Sequence, residues 1–249
     1  MRRDGGQKDL NDVFQENRSG DWFETDFELY HCIFAREHYH DSLFHLYQID
    51  KAGYLDRAVV KRRAEYLAGR FCAAQALKKW GIHVRHIGRG ERGEPLWPEG
   101  MIGSISHCHN RAVALVGDAT GKIGVGIDVE DEISHEVISN VLAQTLDEHE
   151  IALISADSAR FQACFTLFFS LKESFFKAAY GNVGHYFGFE AISIFKIDFV
   201  NQSMDFVLKE TLSPQLVKGK TARGYFRVLP ERQYVTVVEL TACSATFAE

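Results

Sequence analysis

The residues best suited to chemistry lie in two short segments. In Gly126-Ile127-Asp128-Val129-Glu130, strand alternation puts Asp128 and Glu130 on one face with Gly126, and Ile127 and Val129 toward the core. Two carboxylates on one face repel unless a cation or a base lies between them. Hard oxygen donors suit Mg²⁺ or Ca²⁺, and Mg²⁺ takes one or two carboxylates together with substrate phosphates. The plainer alternative is a pair of surface acids at a solvated strand end. The second segment is Phe169-Ser170-Leu171-Lys172-Glu173-Ser174-Phe175-Phe176-Lys177-Ala178. It is apolar almost all round, which predicts a helix buried on several sides. Lys172, Glu173 and Lys177 interrupt it. Glu173 and Lys177, four apart, share a face, where a simple ion pair would contribute only about 0.3–0.5 kcal/mol. That pair leaves Lys172 unexplained. A half-buried charge cluster points instead to function, with Glu173 as metal ligand or base and both lysines as phosphate contacts.

The other candidates are hydroxylic or basic. Ser106 and His107 end the run Gly103-Ser104-Ile105-Ser106-His107 at a strand terminus. A hydroxyl and an imidazolium there suit a phosphate; a turn-capping histidine is the simpler alternative. The two do not make a nucleophile and its base without a third, orienting group. Lys61, Arg62, Arg63 and Arg70 lie on one predicted helix, with Arg89 and Arg92 in the loop beyond. Arginine forks match phosphate oxygens. Arg63 and Arg70 share a face and Arg62 lies at its edge, although a solvated helix face has the same pattern. His31, Cys32, His38, His40, His45 and the run His107-Cys108-His109 match no zinc spacing and are set aside.

The elements that must carry these residues follow from periodicity. Val60, Ala64, Leu67, Phe71, Ala74 and Leu77 recur at three- and four-residue steps, predicting a helix over about 56–80 that Gly81 closes. Strands are predicted near 27–34, over Met101–His107, over the run from Arg111 to Gly117, and over Lys122–Glu130. The stretch 88–100 reads as a loop. A helix is predicted within 136–154 and another over about 158–180. Four strands follow, the last two flanking Pro230-Glu231-Arg232 as a hairpin. This is an α+β reading. A boundary near 117–123 gives halves of 21–120 and 121–249, after a polar, mobile segment of residues 1–20.

Composition closes off other classes. At 249 residues the chain is one large domain or two modest ones. Lysine and arginine total 28 against 34 acidic residues, a net charge of −6. This argues against a general nucleic-acid binder but not against a local phosphate pocket. No apolar stretch approaches the roughly 20 residues of a membrane span, and no secretory signal opens the chain. The five scattered cysteines, Cys32, Cys72, Cys108, Cys164 and Cys243, read as free thiols in a reducing cytoplasm.

Taken together, RRAEYLAGR, GEPLWPEGMIGSISH, GIDVE and FSLKESFFKA resemble, in order and spacing, the surfactin-type 4′-phosphopantetheinyl transferases, and within them the enterobactin synthetase component D subfamily. The resemblance covers about residues 56–180. It implies a pseudo-dimer of two similar α+β halves with the active site in the cleft between them. It implies transfer of the phosphopantetheine arm of coenzyme A to a serine of an apo carrier protein, with adenosine 3′,5′-bisphosphate released. Asp128, Glu130 and Glu173 match the Mg²⁺ carboxylates. Glu173 also matches the serine's base, and Lys177 the lysine that neutralises or protonates the departing phosphate. Arg62, Arg70, Arg89, Ser106, His107, Asp128 and Lys172 match cofactor contacts, and Glu148 a further acid. The implied partners are carrier domains of a nonribosomal peptide synthetase making a siderophore, met by a cytoplasmic monomer, with peripheral membrane association in a synthetase complex as the variant of that reading. The sequence departs from the family pattern in residues 1–20, which have no counterpart, and in the stretch 31–45, which is unusually rich in His and aromatics. Two rivals stand beside this reading: an Mg²⁺-dependent nuclease, and a carrier-binding module without catalysis.

Overall fold

The computed structural model describes residues 13–90 and 93–242. The chain divides between Asp118 and Ala119 into two compact units, each of α+β type.

The first unit is a four-stranded antiparallel sheet with one long helix. Its elements are β1 (Phe14–Gly20), β2 (Glu28–Phe34), a short α1 (Ser42–Leu46), α2 (Val60–Lys79), the two-residue β3 (Gly88–Arg89) and β4 (Pro95–Leu96), β5 (Met101–His107) and β6 (Arg111–Asp118). The main sheet runs β1-β2-β6-β5. The apolar stripe of α2, including Leu67, Phe71 and Leu77, packs with Cys32 and Phe34 of β2 and Ala112, Ala114 and Val116 of β6. Gly69 lets α2 approach β5, because a Cβ there would stand 2.9 Å from the Ile105 side chain. The helix is shorter at its start than its periodicity predicts: Gly53–Arg57 form a separate 3₁₀ turn.

Strand β1 overturns part of the expectation for residues 1–20. Phe14–Gly20 pairs along β2 although its sequence is polar. The anchor is Phe14, 3% exposed and stacked on Phe71 at 4.4 Å. Residues 1–12 lie outside the described part, as do Arg92 and Cys243.

The second unit contains β7 (Lys122–Asp131), α3 (His135–Thr145), α4 (Glu148–Ser155), α5 (Phe161–Val183), β8 (Ile192–Asp198), β9 (Ser203–Leu208), β10 (Thr221–Leu229) and β11 (Gln233–Thr241). The antiparallel sheet order is β7-β11-β10-β9-β8. Helix α5 buries Phe165, Phe168, Leu171 and Phe175 in the core and lies on β7 and β11. Gly124 and Gly126 make this approach possible. A Cβ at either would overlap a backbone carbonyl of α5, of Ala178 and of Ser174 respectively. Ser170 and Ser174 meet the Thr236 hydroxyl of β11 at 2.9 and 2.7 Å.

The single helix expected within 136–154 is two. Leu146 is extended (φ −116°, ψ 142°), and Asp147 then starts α4 with a capping box. Its side chain accepts the Glu150 N–H, and the Glu150 side chain accepts the Asp147 N–H, both at 2.9 Å. Cys32, Cys72, Cys108 and Cys164 are buried thiols outside any disulfide. Among the described residues no helix is long and apolar enough to cross a membrane.

Candidate active site

In the second unit, β7 supplies Asp128 and Glu130, and α5 supplies Glu173 and Lys177. The glycines at 124 and 126 seat α5 on the same β7 face that Asp128 and Glu130 occupy. Asp128 is 2% exposed, which removes the surface-acid alternative. Lys177 Nζ donates to Asp128 Oδ1 at 2.7 Å and to the Ile127 carbonyl at 3.2 Å.

The two glutamates are held in an unfavourable setting for charge. Burial, reinforced by the Asp128 carboxylate, pushes Glu130 up to about 8; Lys177 opposes the rise. Burial also raises Glu173, again opposed by Lys177 and aided by Asp128. The donor set fits a hard divalent cation by its chemistry: carboxylate oxygens on facing elements, each raising the cost of its neighbour's charge. Among the described residues no three His, Cys, Asp or Glu side chains stand in a ready-made ligating group. Lys177 reaches into the same carboxylates instead.

Lys172 departs from expectation. It is 2% exposed and donates to Glu150 Oε2 at 2.8 Å, to the Phe189 carbonyl at 3.1 Å and to the Ile192 carbonyl at 3.2 Å. An ammonium has three protons, and all three are engaged. Burial pulls Lys172 below the usual lysine range against the opposing pull of Glu150. Lys172 therefore anchors α5 to α4 and β8. Its partner Glu150 was missed from sequence. Glu148, the acid picked out there, is exposed. The readable signal was the pair Asp147 and Glu150 at capping-box spacing. Between Lys172, Glu173 and Phe176 on α5 and Tyr186, Phe187, Gly188 and Phe189 lies a small, largely aromatic pocket.

The basic candidates belong to the first unit. Arg62 Nη1 donates to His107 Nε2 at 3.1 Å, joining the start of α2 to the end of β5. Arg63 points elsewhere: it is bound by Asp41, with both carboxylate oxygens within 2.9 Å of Nη1. Arg62, not Arg63, is thus the arginine beside His107. Arg70, 8% exposed, lies 4.9 Å over the Tyr66 ring. Its buried Nε meets no acceptor among the described residues, which fits an anion as its counterpart. Arg89 stacks over Tyr54 at 4.3 Å. Ser106, 7% exposed, alternates to the face of β5 opposite His107, so the two side chains do not converge. Glu65, unmarked in the sequence reading, stands 3.9 Å from His107 Nδ1.

Two clusters result, a half-buried carboxylate–lysine cluster suited to metal-assisted phosphoryl chemistry and a more exposed pair, Arg62 and His107, suited to an anion. Comparison with known proteins gives this class a family. Residues 50–117 match the 4′-phosphopantetheinyl transferase N-terminal domain, and residues 124–237 match the 4′-phosphopantetheinyl transferase superfamily. The 4′-phosphopantetheinyl transferase PptT of Mycobacterium tuberculosis is 33% identical over 180 residues, covering 70% of this chain and 74% of that protein. Npt of Nocardia iowensis is 33% identical over 171 residues, 68% and 74% of the two chains. Enterobactin synthase component D of Salmonella typhi is 39% identical over 118 residues. That match spans 47% of this chain and about half, 48%, of the relative. The chain belongs to the 4′-phosphopantetheinyl transferase superfamily.

Proposed function

We propose that this chain moves the 4′-phosphopantetheine arm of coenzyme A onto a serine of an apo carrier protein, releasing adenosine 3′,5′-bisphosphate. The observation that carries the reading is the facing of Asp128 and Glu130 by Glu173 and Lys177, within a chain of this superfamily. Arg62, Arg70 and His107 bind nucleotide phosphates, with Arg89 as a further contact. The family's pseudo-dimeric arrangement, in which one cofactor draws on both halves, is part of the proposal.

The serine oxygen forms a bond to the β-phosphorus while the bond from that phosphorus to the bridging oxygen breaks. Glu173 accepts the serine proton, directly or through a water. Lys177 sits within reach of the same carboxylates and neutralises charge on the departing phosphate. Asp128, Glu130 and Glu173 would hold Mg²⁺, which when bound supplies charge neutralisation to the pyrophosphate. The aromatic pocket beside Glu173 receives the uncharged arm, leaving the nucleotide to the arginines. We assign the acceptor to aryl or peptidyl carrier domains of a siderophore-type nonribosomal peptide synthetase, on the likeness to enterobactin synthase component D. A cytoplasmic monomer is the form in which it would act.

The test is the intact mass of apo aryl and peptidyl carrier proteins after incubation with the protein, coenzyme A and Mg²⁺. Parallel samples contain EDTA or the Glu173→Gln variant. A gain of one phosphopantetheinyl arm, lost in both controls, supports the reading. Coenzyme A binding with no gain on any carrier type leaves a binding module in its place.

A further inference from the structure

We propose that Glu65 is a positioning residue that sets the proton state of His107 and so couples nucleotide binding to proton uptake. The proposal rests on the reading of Arg62 and His107 as phosphate contacts.

Glu65 lies on α2 with its side chain 8% exposed. A carboxylate so buried is costly unless it is paired. Its Oε1 accepts from Arg36 Nη2 at 3.3 Å, and its Oε2 faces His107 Nδ1 at 3.9 Å. On the other side of the ring, Arg62 Nη1 meets Nε2 at 3.1 Å. A guanidinium can only donate, so Nε2 is the acceptor and the proton of the neutral ring sits on Nδ1, toward Glu65. Arg62 and Glu65, three apart on one helix face, therefore address the two ring nitrogens with opposite charge. Among the described residues Arg62 and Glu65 from α2 address the ring, and Arg36 from the turn after β2 addresses Glu65. His109 stands exposed in its own hairpin.

This geometry dictates what an anion does. When Arg62 turns its fork to a phosphate, Nε2 loses its donor and faces the anion itself. The ring then takes a proton from solvent at Nε2 and donates it to a phosphate oxygen, while Nδ1–H points at Glu65. Glu65 stabilises the imidazolium that results. Arg36 tempers it by holding the other carboxylate oxygen.

The experiment is calorimetric titration of the full chain with adenosine 3′,5′-bisphosphate, in buffers of different ionisation enthalpy, across about pH 6–8 where histidine titrates. The wild type takes up protons on binding, and its affinity falls as pH rises. Glu65→Gln moves the midpoint of that fall down by about one pH unit, the size expected for losing a neighbouring carboxylate. Glu65→Asp restores it. Arg36→Gln moves the midpoint up, a sign that general destabilisation cannot produce and a readout that survives if Glu65→Gln fails to fold. His107→Asn abolishes the linkage in every background. Identical pH profiles and proton counts in wild type, Glu65→Gln and Arg36→Gln overturn the proposal and leave the function standing. No binding of the nucleotide by the wild type overturns both.

Discussion

Lys172 and Lys177 lie five residues apart on α5 and do different work. Lys177 keeps a quarter of its side chain exposed beside Asp128, whereas Lys172 is sealed against Glu150 and two carbonyls. Removing one partner of a buried ion pair leaves the other charge stranded, at a cost of about 3–5 kcal/mol. Lys172→Met is therefore expected to lower unfolding free energy by about that amount, with Lys172→Met/Glu150→Gln recovering part of it. Urea denaturation checks it. A Lys172→Met protein of normal stability with a raised KM for coenzyme A would return Lys172 to the phosphate. His31 offers a pH test at the same scale. Burial, with Arg111 and Arg18 nearby, brings it down to about 4; Arg111 donates to its Nδ1 at 3.2 Å. The folded state keeps this ring neutral while the unfolded chain protonates near 6.5. Its contribution to stability is thus present above pH 6.5 and is lost as pH falls toward 4, by up to about 3 kcal/mol. His31→Gln, which can still accept from Arg111, is expected to flatten that part of the stability profile. An unchanged slope would show that another group carries it.

At the scale of elements, the site depends on how closely α5 lies on β7. Gly126→Ala must push α5 away, because the new methyl overlaps the Ser174 carbonyl. Overpacking costs roughly 1–3 kcal/mol where side chains can yield; here backbone must move, so at least the upper end of that range is expected. The variant is also expected to lose the proposed transferase activity beyond its loss of stability, since Glu173 and Lys177 move with the helix. Comparing activity at matched folded fraction separates the two effects. Much of this architecture was legible in the sequence. Alternation located β5, β6 and β7 to within a residue or two, and the phenylalanine-rich run located α5. The apolar stripe located α2 but not its start, which a 3₁₀ turn sets. Most of the misses share one physical cause: partners distant in sequence. Glu150 meets Lys172 across 22 residues, Glu65 meets Arg36 across 29, and β1 is a strand because β2 pairs with it. The capping box at Asp147 was local, and its omission hid both the break between α3 and α4 and the buried glutamate that fills it.

At the scale of the whole molecule, the two units hold different chemistry. The first carries Arg62, Arg70 and His107, which the proposed function assigns to a nucleotide's phosphates. The second gathers carboxylates and Lys177, which the proposed function assigns to a metal-bound pyrophosphate. If one cofactor draws on both, its parts should stabilise the protein in separable ways. A ligand at 100 times its Kd adds about 2.7 kcal/mol, and in a chain of this size each kcal/mol raises Tm by about 2–4 °C. Adenosine 3′,5′-bisphosphate alone is expected to raise Tm by about 5–10 °C on that basis. The rise should vanish in Arg62→Ala/His107→Asn and mostly survive Asp128→Asn. Coenzyme A with Mg²⁺ should add to it, and that surplus should disappear with EDTA or in Asp128→Asn. Differential scanning fluorimetry of the three proteins with each ligand reads all of this in one series. A nucleotide rise lost in Asp128→Asn but kept in Arg62→Ala/His107→Asn would place the nucleotide with the carboxylates. The arginine–histidine cluster of the first unit would then need another anion.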